Sequence, residues 1–237
     1  MLKTWYLPKG ITYDLFKDMS KQNHLLVAGK TGSGKSVIVN GIITTLLYKA
    51  PFQVQFILID PKRVELSPYK NLPHTIKYAS EPKDMVSALQ LAMNICDTRY
   101  KQMEKVGHRL YQGGDIYVII DEWADLMTTN RRAVAPIIQR LAQVGRAAKV
   151  HVILCTQTPI AKVIPTEIKC NFDSRVGLRT RSAQDSRNIL GYAGLENLPK
   201  YGQGVYMTPE SDDLWNIPYV DETEQKRLIN HWLRQRG

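Results

Sequence analysis

The sequence has no apolar stretch that approaches the roughly 20 residues needed to cross a bilayer. Its beginning, Met1 to Trp5, lacks the features of a signal peptide. Cysteine is scarce, and Cys96, Cys155 and Cys170 show no C-x-x-C spacing, so we expect reduced, buried thiols instead of disulfides or a zinc site. These absences predict a cytoplasmic protein, which would need a partner or a segment outside this chain for membrane recruitment.

Internal repeats, low-complexity runs and protein-kinase signatures are also absent. Acidic residues are the scarcer charge: 22 Asp and Glu stand against 32 Lys and Arg, which gives a formal net charge of +10. Such an excess favours a polyanionic partner, nucleic acid first and anionic lipid second. The alternative is a generally basic surface that aids solubility.

One motif dominates what is present. Residues Gly29, Lys30, Thr31, Gly32, Ser33, Gly34, Lys35 and Ser36 spell G-x-x-x-x-G-K-S, the phosphate-binding loop (P-loop) of nucleoside triphosphatases. Its glycines let successive N–H groups face a polyphosphate. Lys35 supplies charge for the β- and γ-phosphates, and the Ser36 hydroxyl suits Mg²⁺. A short apolar run precedes the loop and a long one follows it, as the motif requires, so a chance Gly-rich turn is disfavoured.

Apolar runs with the length of buried strands alternate with helical patterns along the chain. This order predicts an α/β fold with a mostly parallel sheet flanked by helices on both faces. Residues 1–23 are expected to be a lead-in packed on a single domain of residues 24–237. Near the C-terminus, residues 204–207 and 215–219 are expected to pair as a short antiparallel edge. A helix is predicted from about Arg131 to Ala148.

Polar residues follow the predicted strands where ligands bind such sheets, beyond the carboxyl ends. Asp60 ends the second strand and is expected at the nucleotide. Asp121 is expected to support Mg²⁺, and Glu122 to act as the general base that activates water. Gln157 can hydrogen-bond both that water and the γ-phosphate. Simple turn-capping acids and an ordinary strand-end amide are the alternatives. Hydrolysis is the expected chemistry.

Five blocks resemble the FtsK/SpoIIIE family of DNA-pumping motors. They are HLLVAGKTGSGKS (24–36), FILIDPKRVEL (56–66), VIIDEWADLM (118–127), RLAQVGRAAKVHVILCTQTP (140–159) and IKCNFDSRVGLRTRSAQDSRNIL (168–190). The resemblance covers roughly residues 20–220, in the family's order. It implies a RecA-like P-loop ATPase that binds ATP and Mg²⁺, assembles as a homo-hexameric ring and translocates double-stranded DNA.

The resemblance also implies roles for individual residues. Arg146 matches the arginine that family members insert into the neighbouring subunit's nucleotide site, where it can accelerate hydrolysis by ~10³–10⁵. DNA contacts in the family come from two pore loops, in which Thr158 stands where an arginine is common. The basic residues expected to grip DNA phosphates here are Lys162, Lys169, Arg181 and Arg187.

The sequence therefore predicts an ATP-driven DNA translocase, serving conjugative transfer, packaging or chromosome segregation, and expected to work with a membrane-anchored, conjugation or packaging partner. The chain shows neither the membrane-spanning region nor the winged-helix domain of chromosome pumps, so a reduced motor like those of plasmids or phages is expected. The alternatives are an ATPase of a protein-secretion or genome-packaging system and a slowly hydrolysing nucleotide switch.

Overall fold

The computed structural model describes residues 24–217 and 219–235, so the predicted lead-in at residues 1–23 lies outside the described residues. Within these residues lie the strands β1 (His24–Ala28), β2 (Val54–Ile59), β3 (Thr75–Ala79), β4 (Asp115–Ile120), β5 (Val150–Thr156), β6 (Ser174–Leu178), β7 (Gln203–Met207) and β8 (Asp212–Asn216). The α-helices of the same ranges are α1 (Lys35–Lys49), α2 (Pro82–Val106), α3 (Trp123–Thr129), α4 (Arg131–Val144), α5 (Thr166–Lys169), α6 (Ala183–Leu190) and α7 (Glu222–Arg234).

The strands form one sheet in the order β3-β2-β4-β5-β1-β6-β7-β8. The first six strands of this order, from β3 to β6, run parallel to one another. The pairs β6–β7 and β7–β8 are antiparallel. The predicted mostly parallel sheet with an antiparallel C-terminal edge is thus confirmed. None of the helices in the described ranges is long and apolar enough to cross a membrane.

The sheet separates two large hydrophobic cores, one on each face, and a smaller cluster includes Ile189 and Leu190 of α6. Successive residues of a strand point to opposite faces, so Leu25 packs in one core and Leu26 in the other. Helices α2, α3 and α4 cover the Leu26 face, and α1 and α7 cover the Leu25 face. Because both faces are covered, polar groups gather at the two ends of the strands.

Two predicted boundaries are wrong. The helix expected to reach Ala148 ends at Val144, because the chain turns at Gly145, where a Cβ would lie 2.3 Å from the Val150 carbonyl oxygen. Arg146 therefore lies in a turn and not on the helix. The strand expected at residues 215–219 is Asp212–Asn216, since a tight turn at residues 208–211 sets its register against β7.

Candidate active site at the carboxyl end of the sheet

The P-loop connects β1 to α1, as the motif predicts. Gly32 and Gly34 have φ angles of 72° and 106°, in the left-handed region that favours glycine. A Cβ on Gly29 would lie only 2.6 Å from the Leu178 Cβ on β6, so the first glycine permits close approach of two strands. Main-chain bonds hold the loop on both sides: Gly29 N–H donates to Thr156, and Lys30 N–H donates to Arg179.

The Lys35 ammonium lies across the mouth of this loop. It donates to the carbonyl oxygens of Gly29 at 2.8 Å and Lys30 at 3.1 Å. Burial lowers the pKa of Lys35, and the nearby Glu122 and Asp121 act in the opposite direction. The P-loop lysine and the predicted acid pair therefore share one site, which parallel strands with carboxyl ends on the same side bring about.

Glu122 is buried, and its hydrogen bonds fix the direction of its carboxylate. Its Oε1 accepts from the Thr156 hydroxyl at 2.9 Å and from the Gln157 N–H at 3.1 Å. Its Oε2 lies 3.5 Å from the Lys62 ammonium. The predicted base is thus oriented by β5 while Lys62 balances its charge.

Fewer contacts of this kind stabilise the Asp121 carboxylate. Burial raises its pKa to about 7, and the neighbouring carboxylates of Asp60, Glu65 and Glu122 contribute in the same direction. The acids concentrate negative charge at one point, as a divalent cation requires. Asp60 is fully buried and accepts from the Leu66 N–H at 3.0 Å, so it also holds the segment that follows β2.

Gln157 links the P-loop to the acid pair. Its side-chain Oε1 accepts a 2.6 Å hydrogen bond from the Thr31 hydroxyl, while its main-chain N–H donates to Glu122. One residue therefore contacts both the phosphate-binding loop and the predicted base. This arrangement suits a residue that responds to the terminal phosphate of a bound nucleotide.

Arg146 lies at the opposite end of the sheet. It is exposed in the turn before β5, whose seven residues span ~20 Å before Thr156 at the P-loop end. A single arginine side chain is too short to cover that distance. Within one subunit, Arg146 and the P-loop are therefore separate.

The structure distributes the four predicted DNA-binding residues unevenly. Lys162 and Arg181 are exposed in segments that follow β5 and β6, at the P-loop end of the sheet, and Arg187 is exposed on α6. Lys169 is half-buried and donates to the Asn188 carbonyl at 3.2 Å, and burial lowers its pKa. Lys162, Arg181 and Arg187 are accessible to a phosphate backbone, whereas Lys169 already has a local partner.

Sequence reasoning missed the groups that position Glu122. Lys62 was visible only as one of several basic residues after β2, and Thr156 only as part of a strand end. A third missed feature is the indole of Trp123, the residue after Glu122, which donates to the Val163 carbonyl at 2.7 Å. These contacts join segments 34 to 60 residues apart, a separation that no local pattern encodes.

A cavity of about 480 Å³ lies at the other end of the strands, lined by Phe52, His74, Arg99, Asp115 and Trp232 among others. No P-loop residue or acid of the pair lines it. The nucleotide chemistry described above therefore belongs to the open carboxyl end and not to this cavity.

The fold and the site together define a P-loop ATPase domain. The chain matches the FtsK/SpoIIIE family over residues 6–115 and 109–161, and it belongs to that family. It is 36% identical over 262 residues to the DNA translocase FtsK of Rickettsia prowazekii, covering 92% of this chain but 35% of that protein. The chain thus spans about a third of the length of such relatives.

Solved structures agree with this fold. The pCW3 conjugation coupling protein TcpA, solved as a monomer with ATPγS, matches with a TM-score of 0.82 and 25% identity, over 93% of this chain and 66% of that one. The cytoplasmic domain of the type VII secretion ATPase EccC from Thermomonospora curvata matches with a TM-score of 0.76 and 22% identity, over 89% of this chain and 28% of that one. The second likeness shows the fold alone.

Proposed function

We propose that this domain hydrolyses ATP and uses the energy to move double-stranded DNA through a homo-hexameric ring. The observation that carries the ATPase part is Glu122, a buried carboxylate oriented by Thr156 and Gln157 beside Lys35. Such a group can take a proton from a water that attacks the γ-phosphate. The P-loop N–H groups and Lys35 hold the phosphates in place.

The residues present fit a magnesium ion. The Ser36 hydroxyl at the start of α1 and the Asp121 carboxylate would hold it, together with substrate phosphates. Asp121 is buried near other carboxylates, and its burial, followed by their negative charge, raises its pKa to about 7. A cation would offset both effects, which supports this assignment. When bound, Mg²⁺ neutralises charge that develops on the phosphates.

DNA as the substrate is supported by charge and by kinship. The +10 net charge, the exposed Lys162, Arg181 and Arg187, and membership of a family whose relatives are named DNA translocases all favour it. Lysine and arginine contacts to phosphates bind without reading sequence, as a motor that tracks along DNA requires.

The test is ATP hydrolysis by the purified chain with and without duplex DNA at low salt. We expect DNA to stimulate turnover several-fold. Lys35→Ala should abolish nucleotide binding, and Glu122→Gln should lower kcat by about 10²-fold or more while binding persists. Exposed Lys101→Ala serves as the matched control. Hydrolysis that is indifferent to DNA, together with specific retention of a peptide, would replace this proposal with a protein-secretion motor.

The ring requires contributions from neighbouring copies, and we propose that Arg146 acts in the adjacent subunit's site. Its distance from its own P-loop along β5 supports this role. An arginine supplied by a neighbour stabilises charge on the transferred phosphoryl group and makes hydrolysis depend on assembly.

A further inference from the structure

The P-loop lies between the ends of β5 and β6, and different functional groups border it on the two sides. On the β5 side are Glu122 and Gln157, the groups expected at the terminal phosphate. On the β6 side, the loop is bonded to the main chain of Arg179, whose carbonyl accepts from Lys30 N–H at 2.9 Å. A nucleotide with its terminal phosphate toward β5 therefore extends its other end toward β6.

Among the residues that the structure describes, the Arg179 guanidinium has no partner for its charge. The residue is half-buried, its Nε is fully buried, and none of its side-chain nitrogens makes a hydrogen bond or ion pair within residues 24–217 and 219–235. Partial burial of a guanidinium without an acceptor is unfavourable. The acids of the site, Asp121 and Glu122, follow β4, two strands away from β1. Arg179 borders the phosphate loop through its main chain, and a guanidinium without an acceptor on such a residue favours an anionic ligand, because its geometry matches phosphate oxygens.

The same side of the loop also has an apolar wall. Ile217, which follows β8, places its Cδ1 3.6 Å from the position of a Cβ on Gly34, at the start of α1. Ile217 is held there by a main-chain hydrogen bond to Gly202 and packs on the core beneath α1. The β6–β8 edge thus brings a basic residue, Arg179, to one end of the loop through its main chain and an apolar side chain, Ile217, to the other.

We propose that Arg179 binds the α-phosphate of the nucleotide within its own subunit, at the side of the site that leads to the nucleoside. Arg179 then contributes to nucleotide affinity and not to the chemical step. This inference rests on a nucleoside triphosphate as the ligand of the P-loop, and it is independent of DNA.

An α-phosphate contact is present with ADP as well as with ATP. Arg179→Ala should therefore weaken binding of ADP and of the non-hydrolysable analogue AMPPNP by the same factor, about 10-fold or more for a charge-assisted hydrogen bond. The KM for ATP should rise by a similar factor with kcat nearly unchanged. The main-chain bond from Lys30 to Arg179 is untouched, so the loop keeps its anchor.

Binding is measured by calorimetry on the full chain, with exposed Arg109→Ala as the matched arginine control. Arg179→Lys, which keeps the charge, should recover part of the affinity and serves if the alanine variant unfolds. Unchanged affinity for both nucleotides, a loss confined to AMPPNP, or a lowered kcat at constant KM would each overturn the proposal. A wild-type chain that binds neither nucleotide would instead refute the ATPase assignment itself.

Discussion

The residues of the site divide into those that spacing identifies and those that only the fold brings in. Gly29 to Ser36 and the pair Asp121 and Glu122 stand out in the sequence, because each follows an apolar strand and carries chemistry specific to phosphate. Thr156 and Lys62 do not stand out, since their role comes from contact with Glu122. The fixed direction of Glu122 could therefore not be predicted.

The Gln157 side chain is expected to meet a different phosphate of the nucleotide from the one assigned to Arg179. Its side chain faces the P-loop through Thr31, on the side expected to meet the γ-phosphate. We expect Gln157→Ala to lower kcat for ATP by about 10- to 100-fold, since it removes one polar group from the transition state, while ADP affinity stays unchanged. Steady-state kinetics and ADP calorimetry measure the two effects.

Two comparisons sharpen that experiment. Thr31→Ser retains a hydroxyl donor and should behave like the wild type, whereas Gln184→Ala changes an exposed amide on α6 and should have no effect. An equal loss of ADP affinity in Gln157→Ala would show that the side chain supports the loop in general and does not respond to the terminal phosphate.

His24 gives a prediction about stability. Its Nδ1 accepts from Val152 N–H at 3.1 Å, and burial, with a further contribution from His151, lowers its pKa to about 3. Because an unfolded histidine titrates near 6.5, the unfolded state binds more protons below that pH, and stability falls from about pH 6.5 toward pH 3. Between pH 7 and pH 5 the loss from this group is about 2 kcal/mol.

Urea unfolding at the two pH values measures this effect. His24→Asn retains an acceptor for Val152 and does not titrate in this range. Its loss of stability between pH 7 and pH 5 should therefore be smaller than that of the wild type by about 2 kcal/mol. A pH dependence that is identical in the wild type and His24→Asn would contradict a buried neutral histidine.

Among the secondary-structure elements, the buried strands are easier to predict than the residues at which an element begins or ends. Apolar runs at β1, β2, β4 and β5 are buried on both faces and leave little ambiguity. The end of α4 depends on Gly145, whose main chain packs against Val150, a contact outside any helical pattern. The start of β8 depends on Thr208, whose hydroxyl accepts from two N–H groups in the preceding turn.

Two helices hold the loop that carries Lys162. The Trp123 indole on α3 donates to Val163 O at 2.7 Å, and the Arg131 guanidinium on α4 donates to Lys162 O at 3.3 Å. Since Trp123 directly follows Glu122, the acid pair and this loop are joined by one short segment. We therefore expect a change at the nucleotide to reach the loop through this segment.

Trp123→Phe keeps an aromatic ring but removes the indole donor. We expect hydrolysis without DNA to stay within about twofold of the wild type, while the stimulation by duplex DNA falls several-fold because the loop loses its tie. Arg131→Ala should have a weaker effect of the same kind. The measurement is the ratio of ATPase rates with and without DNA, alongside unfolding midpoints.

The neighbouring Arg132 is the control for this pair, because it is exposed and makes no bond to the loop. Arg132→Ala should leave the stimulation ratio unchanged. If Trp123→Phe were stimulated as strongly as the wild type, the indole bond would be a packing detail without influence on the DNA response.

At the scale of the whole molecule, the sheet presents its nucleotide chemistry at one end and Arg146 at the other. This separation predicts complementation between two inactive variants. Lys35→Ala lacks a working P-loop but keeps Arg146, whereas Arg146→Ala keeps the P-loop. In a mixed ring, a P-loop from the second variant meets Arg146 from the first and forms an intact site.

An equimolar mixture should therefore hydrolyse ATP at up to about a quarter of the wild-type rate, the fraction of intact sites from random assembly, although each variant alone is nearly inactive. Turnover of the wild type should also rise steeply with protein concentration. Mixing Lys35→Ala with Arg132→Ala, which keeps both a working P-loop and Arg146, should give up to about half of the wild-type rate, because every working P-loop then meets an Arg146. A mixture of the two inactive variants that stays inactive would place the role of Arg146 within its own subunit.

If Arg146 completes a neighbour's site as proposed, the placement of the P-loop and Arg146 at opposite ends of the sheet also restricts the symmetry of the assembly. A contact that joins these two different surfaces is heterologous, so each copy uses one surface to give and the other to receive. A simple two-fold dimer pairs identical patches and does not complete such a site. Repetition of the contact either closes on itself or continues as an open filament. The rotation between adjacent copies, and not the strength of the contact, then decides whether a finite particle forms.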